Sequence, residues 1–341
     1  MVFEGLFSRN RSSDRAVEAT AAPEAPHMVP PSIGLALGGG AARGFAHLGV
    51  MRRLIEAGIK PDVIVGTSIG AVVGGCYAAD RLEPLERWAR ALTLRGLIGN
   101  LDISFAGSGL LGGRHLAKHL TEALADVHIE TLPLRFAAIA TEFPNGHEIW
   151  LTQGRLVDAL RASYALPGIF PPVRVAGRWL LDGALVNPVP VSAARALGAR
   201  VVIAVHLNAE LPGRGAVISN FGGEEVDEVS AVNGKRGLRA MFSSESSMRR
   251  QFFGNRHSPG IPVVMIEAFN IMQDRITRSR MAGDPPDVLI TPRVGPVGWF
   301  DFHRAADAIR LGEEAAEKAL PAISEAIAAL STPALTTAAA K

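Results

Sequence analysis

The chain has 341 residues, of which 48% are hydrophobic and 20% are charged, so it is long enough to bury one large core or two moderate ones. Its formal net charge of only +2 excludes the strongly basic surface that draws in nucleic acid, and we expect no nucleic-acid partner. A single cysteine excludes a disulfide within the chain, which fits a reducing cytoplasm.

Residues 1–31 are predicted to be a disordered tail, because scattered arginines and an Ala/Pro/Glu stretch show no periodicity. The sequence nowhere holds the run of roughly 18 uncharged apolar residues that a membrane span needs, and its N-terminus lacks the apolar region of a signal peptide. We therefore expect a cytoplasmic protein that contacts membranes at most peripherally.

Order is predicted to begin with a strand at residues 33–37, which runs into Gly38, Gly39 and Gly40 and then into a helix at residues 45–57. Glycines at a turn from strand to helix leave backbone amides bare and converging, which makes a binding site for an anion.

Two kinds of anion could occupy this glycine loop. A dinucleotide pyrophosphate requires a third glycine where Arg43 stands, and an acidic residue at the end of a strand, whereas Asp62 precedes one. The other anion is the oxygen that becomes negative when a nucleophile attacks an ester. Gly44 also comes one position later than the nucleotide pattern requires, and these departures favour the oxyanion hole. Arg43 fits two roles equally well: support of the loop or added positive charge there, or a surface salt bridge.

A second turn from strand to helix follows. The apolar run of residues 63–67 stops at Ser68 and continues as a helix of small residues that starts at Ile69. A strand that reverses into a helix within one residue strains the apical residue, and a Cβ at Gly66 or Gly70 would crowd it. The pattern therefore predicts an exposed serine nucleophile at the N-terminus of a helix.

A nucleophilic serine needs a base. A hairpin predicted at residues 173–181 ends at Asp182, and Gly183 follows, so the carboxylate would lie at the end of a sheet strand. His206, which ends the strand predicted at residues 201–205, has the chain order Ser, Asp, His of hydrolase triads. At this point both a dyad and a triad are open.

The remaining elements alternate between strand and helix, which predicts an α/β fold with three layers: a mostly parallel central sheet and helices on both faces. Strands are predicted at residues 135–140, 148–151 and 287–290, and helices at residues 110–124, 155–164, 191–197, 262–281 and 303–330, the last of them interrupted at Pro321.

These elements divide the chain into a catalytic core at residues 32–206, a C-terminal part of the same domain at residues 261–330, and a flexible tail at residues 331–341. Residues 207–260 break the pattern and are interpreted as a mobile insertion or lid. Basic and aromatic residues interleave in residues 235–253, which suits docking on an anionic lipid surface. Packing of those aromatic residues on the core fits the pattern equally well.

Together the motifs resemble the patatin-like phospholipases, and most closely the short bacterial members of the neuropathy target esterase type. The resemblance covers roughly residues 33–205, in this order: Gly38, Gly40, Arg43 and Gly44 in the loop; Gly66, Ser68 and Gly70 in the turn; and Asp182, Gly183 and Ala184 after the hairpin.

The resemblance implies a serine lipid acyl hydrolase of the phospholipase A, lysophospholipase or carboxylesterase type. It implies a dyad of Ser68 and Asp182 that works through an acyl-enzyme, with no histidine, cofactor or metal. Such a dyad requires the carboxylate to lie within about 3 Å of the hydroxyl and to be partly desolvated. The alternative is a non-catalytic module on the same fold that binds acyl lipid or regulates. The lipid head group, the acyl position and the oligomeric state stay open.

Overall fold

The structure is a computed structural model that describes residues 28–93, 114–209 and 261–333. Its strands are β1 Met28–Val29, β2 Ile33–Leu37, β3 Val63–Thr67, β4 Arg135–Phe143, β5 Glu148–Leu151, β6 Val173–Val175, β7 Arg178–Asp182, β8 Val201–Val205, β9 Val288–Ile290 and β10 Thr332–Pro333.

Eight of these strands form one sheet in the order β6-β7-β4-β3-β2-β8-β9, with β5 paired to β4. Strands β4, β3, β2, β8 and β9 are parallel, and β5, β6 and β7 add an antiparallel extension at one side. The predicted mostly parallel sheet is confirmed. The helices of the fold are α1 Ala46–Glu56, α2 Ile69–Ala78, α3 Leu82–Ala91, α4 Arg114–Leu124, α5 Leu156–Ser163, α6 Val191–Ala196, α7 Ile261–Gly283 and α8 Ala305–Leu330.

Alternate residues of the central strands enter two separate cores, as expected for a sheet that is covered on both faces. In β2, Leu35 and Leu37 pack with the larger core beneath helices α1, α2 and α8. Ala36 between them faces the smaller core beneath α6. The three-layer arrangement follows from this alternation.

The long C-terminal helix differs from its prediction. Pro321 lies inside α8, which continues without a break to Leu330. Proline removes one backbone donor and leaves the carbonyl four residues earlier, that of Glu317, without its helical partner. Both residues are exposed, so water can replace the missing bond. Because the helix is continuous, the interruption predicted at Pro321 is wrong.

The two ends of the described chain lie together. Residues 28–31 and 331–333 fall within the predicted disordered and flexible tails, but β1 and β10 pair antiparallel there. Backbone pairing needs no alternation of side chains, so the sequence carries no signal for it. Helix α3 was also not predicted. Residues 210–260 lie outside the described residues, and they include most of the predicted lid and its lipid-docking segment.

The register of the sheet places the two predicted dyad residues at one level. Thr67 at the end of β3 pairs with Ile139, and the next residue of β4, Ala140, pairs with Asp182 at the end of β7. Ser68 and Asp182 therefore flank β4, about two strand spacings or ~10 Å apart in the backbone. Side chains that lean over β4 can span that distance.

Candidate active site

Ser68 occupies the predicted sharp turn between β3 and α2. Its backbone dihedrals are φ 57° and ψ −124°, and a positive φ is unusual for a residue with a side chain. A Cβ at Gly70 would collide with the carbonyl oxygen of Leu37, and a Cβ at Gly66 would collide with the backbone of Ala71. The two flanking glycines therefore allow the turn to lie tightly against the sheet.

The hydroxyl of Ser68 donates a hydrogen bond to Oδ2 of Asp182 at 2.8 Å. The other carboxylate oxygen, Oδ1, accepts a bond from the amide of Ala184 at 2.8 Å. The two oxygens thus differ in their roles, since Oδ1 is held by the backbone and Oδ2 is directed at the serine. The structure brings together the two residues that the sequence placed 114 positions apart.

Asp182 is only 2% exposed, and burial raises its pKa from 3.8 to about 7. The bonds from Ala184 and Ser68 oppose this shift but do not cancel it. A carboxylate with a pKa near neutrality is a far stronger base than a solvated one, yet it is still ionised in part at neutral pH. Asp182 therefore has the properties needed to accept the proton of the serine hydroxyl.

The backbone around Asp182 is fixed from both sides. Its amide donates to the carbonyl of Ala165 at 2.9 Å, and its carbonyl accepts from the hydroxyl of Thr141 at 2.8 Å. The chain then crosses β4 at Gly183, where a Cβ would collide with the carbonyl oxygen of Ile139. Glycine is required here for the chain to pass close enough to the sheet to deliver the carboxylate.

The glycine loop that follows β2 lies beside the serine. A Cβ added to Gly39 would lie 3.5 Å from the Cβ of Ser68. The amide of Gly38 donates to Val205 at 3.1 Å and that of Gly39 donates to Pro188 at 3.0 Å. Two of the three predicted oxyanion donors are thus already engaged, whereas the amide of Gly40 donates to no acceptor in the part of the chain that the structure describes.

Arg43 lies in a short 3₁₀ turn, Ala41–Phe45, that joins the glycine loop to α1. Its side chain is 7% exposed and donates to the carbonyl of Val297 at 2.8 Å and to Oδ1 of Asn208 at 3.1 Å. At Gly44 a Cβ would collide with the side chain of Ile69. The hydrogen bonds of Arg43 thus hold the turn after the glycine loop in place, and Gly44 allows this turn to pack closely against the first residue of α2.

His206 is not brought to the dyad. Burial lowers the pKa of His206 to about 4. Of two charged residues on α7, Asp274 raises this pKa and Arg278 lowers it further. Helix α7 turns a row of buried polar residues inward, and Asp274 in that row is 4% exposed. Both oxygens of Asp182 have partners other than histidine among the described residues. The geometry therefore does not assemble the triad that the chain order left open.

Ser163 is a site residue that the sequence motifs do not indicate. Its fully buried hydroxyl accepts a hydrogen bond from the amide of Ser68 at 2.9 Å. Ser163 is the last residue of α5, and no spacing to the other motifs distinguishes it in the sequence. The bond holds the strained backbone of Ser68 in place.

An apolar cluster adjoins the dyad. Ala184, next to Asp182, packs in it, and a Cβ added to Gly39 would lie 3.4 Å from the methyl group of Ala184. The other buried members of the cluster are Leu166, Ile169, Phe269 and Trp299. The immediate neighbourhood of the serine is thus suited to a hydrocarbon chain.

Within the described ranges no cluster of three or more histidine, cysteine or acidic side chains could hold a metal ion. None of the described helices has the length and apolar character needed to cross a membrane.

Comparison with known proteins gives concordant results. The profile of the patatin-like phospholipase family matches residues 35–195. An uncharacterized NTE family protein of Mycobacterium tuberculosis is 34% identical over 331 residues, which cover 86% of this chain and 92% of that protein. Lysophospholipase NTE1 of Yarrowia lipolytica is 30% identical over 302 residues, which cover 86% of this chain but only 20% of that enzyme.

Among solved structures, that of VipD from Legionella pneumophila has a TM-score of 0.50 and 13% sequence identity, covering 86% of this chain and 67% of VipD. At this identity the likeness concerns the fold alone.

Proposed function

This chain belongs to the NTE family of patatin-like phospholipases, and from that membership we propose that it is a serine hydrolase of lipid acyl esters. The observation that carries the proposal is the 2.8 Å hydrogen bond from Ser68 to a buried, basic Asp182 beside the glycine loop. Lysophospholipids are the first substrates to test, because the matched enzyme of Yarrowia lipolytica is named a lysophospholipase.

In the proposed reaction Asp182 accepts the proton of the Ser68 hydroxyl as its Oγ attacks the ester carbonyl. The carbonyl oxygen becomes negative, and the amide of Gly40 donates a hydrogen bond to it. The first amides of α2, which begins at Ile69, also stabilise it, because the first amides of a helix have no acceptor within that helix. Collapse of the tetrahedral intermediate breaks the ester bond, and the leaving alcohol takes the proton from Asp182.

The second half of the reaction repeats these roles with water. Asp182 removes a proton from a water molecule that attacks the acyl-enzyme, and Ser68 leaves with that proton as the fatty acid forms. The apolar cluster of Leu166, Ile169 and Phe269 is the proposed location of the acyl chain. No step requires a cofactor.

The test is release of fatty acid from a lysophospholipid and from a short acyl ester by the wild type and by Ser68→Ala. We expect the substitution to lower kcat/KM by at least about 10³-fold, because removing the nucleophile of a serine hydrolase can cost about 10⁶-fold in kcat. A folded Ser68→Ala variant that retains wild-type turnover would contradict the proposal. A wild type that binds acyl lipid without turnover would instead support the non-catalytic module.

A further inference from the structure

His47 lies behind the glycine loop and has no role in the proposed reaction. It is the second residue of α1 and is fully buried. Its Nε2 lies 2.7 Å from the carbonyl oxygen of Gly38. Its Nδ1 is buried without a hydrogen-bond partner among the described residues. Among the described residues the imidazole ring therefore makes one polar contact, and that contact is with the glycine loop.

The imidazole is neutral at working pH. Burial lowers the pKa of His47 to about 4, and the bond to Gly38 opposes this shift without cancelling it. A carbonyl oxygen can only accept, so the proton of the neutral ring lies on Nε2 and Nδ1 carries a bare lone pair. A buried acceptor without a partner is unfavourable. An apolar side chain would avoid that cost but would leave the Gly38 carbonyl without its partner.

The glycine loop needs such a tether because it has no side chains of its own. Three consecutive glycines accept nearly any backbone conformation, so hydrogen bonds must select one. In the peptide unit that joins Gly38 to Gly39, the carbonyl is held by His47 and the amide by Pro188. Since a peptide unit is planar, holding both ends fixes its orientation. The next amide in the chain belongs to Gly40.

We propose that His47 is a positioning residue for the oxyanion hole: its Nε2–H holds the peptide unit between Gly38 and Gly39 and thereby directs the amide of Gly40 toward the oxygen on which negative charge develops. The inference rests on the proposed function. It assigns His47 no proton transfer and no contact with substrate.

The variants His47→Gln and His47→Asn separate this role from filling space. The glutamine amide nitrogen reaches about as far from the backbone as Nε2, whereas the asparagine amide reaches only as far as Nδ1. We expect His47→Asn to lower kcat roughly 10- to 100-fold, short of the 10²- to 10³-fold cost of deleting a donor, with KM little changed. His47→Gln should keep kcat within about threefold of the wild type, because it restores the single hydrogen bond.

A trifluoromethyl ketone provides a second readout, since it forms a tetrahedral adduct that carries the oxyanion. Its affinity should fall across the variants in proportion to kcat/KM, while the affinity for a fatty-acid product stays constant. His206→Asn is the matched control: His206 is also a buried histidine, but it follows strand β8 and its charged neighbours are Asp274 and Arg278 of α7. That variant should keep wild-type kcat and adduct affinity.

Nitrogen-15 NMR of the wild-type ring tests the geometry without any variant. We expect a protonated Nε2 and a bare Nδ1 from about pH 5.5 to 8, because this interval lies above the lowered pKa of His47. The opposite tautomer, or a ring that gains a proton within this range, would overturn the inference. So would equal losses in the glutamine and asparagine variants with unchanged adduct affinity. If Ser68→Ala retains hydrolysis, the proposed function fails. If Ser68→Ala is inactive but His47→Asn keeps wild-type kcat, the proposed function stands and this inference alone fails.

Discussion

The Asp182→Asn variant is expected to lose hydrolysis almost completely, with kcat/KM lower by about 10³- to 10⁴-fold, as when other serine hydrolases lose a member of their catalytic unit. The asparagine can still contact the hydroxyl of Ser68, but it cannot accept the proton. The measurement is steady-state hydrolysis of a short acyl ester at pH 8. Asp274→Asn is the matched control, because Asp274 is a buried carboxylate of α7 outside the dyad, and it should stay within a few-fold of the wild type.

The loss should not reflect unfolding. Because burial raises the pKa of Asp182 to about 7, the folded state favours the protonated carboxyl, and its ionised form above pH 7 destabilises the fold. A neutral amide avoids this cost, so Asp182→Asn should melt no lower than the wild type at pH 8. A folded Asp182→Asn variant with wild-type kcat/KM would contradict the role of Asp182 as the base.

The pH profile of kcat/KM is the second large effect. Only the ionised carboxylate can accept the serine proton, so activity should rise with pH, reach half its maximum near pH 7 and level off above about pH 8. At pH 5, two units below this pKa, activity should be about 100-fold lower than on the plateau. The measurement is the initial rate with an ester that is itself stable from pH 5 to 9.

The profile also distinguishes the dyad from a histidine base at position 206. Burial lowers the pKa values of His47 and His206 to about 4, so neither should change its charge in this interval. His206→Asn should therefore leave the midpoint unchanged. A rate that is flat between pH 5 and pH 8, or a midpoint that moves when His206 is replaced, would contradict the assignment.

The sequence was sufficient for the parts of the site that depend on local geometry. The turn at Ser68 was predictable because its glycines are neighbours in sequence, and the mostly parallel sheet was predictable from the alternation of elements. Asp182 was found at the end of a hairpin. That Asp182 lies at the same height in the sheet as Ser68 could not be deduced, since this depends on how β3 and β7 are each paired in register with β4.

Other features depend on partners that are distant in sequence. The amides of Gly38 and Gly39 are engaged by Val205 and Pro188, contacts that no local pattern announces. Ser163 and His47 act through single hydrogen bonds to backbone atoms, and such bonds leave no spacing to detect. The continuous helix at Pro321 depended on its exposure, which is a property of the packed molecule.

The most direct test of Ser68 as the nucleophile is covalent labelling with a fluorophosphonate probe, followed by mass spectrometry of the labelled peptides. We expect one probe per chain, attached to Ser68, with no labelling of Ser68→Ala and much slower labelling of Asp182→Asn. A probe on another serine, or labelling that persists in Ser68→Ala, would contradict the claim that Ser68 is the nucleophile.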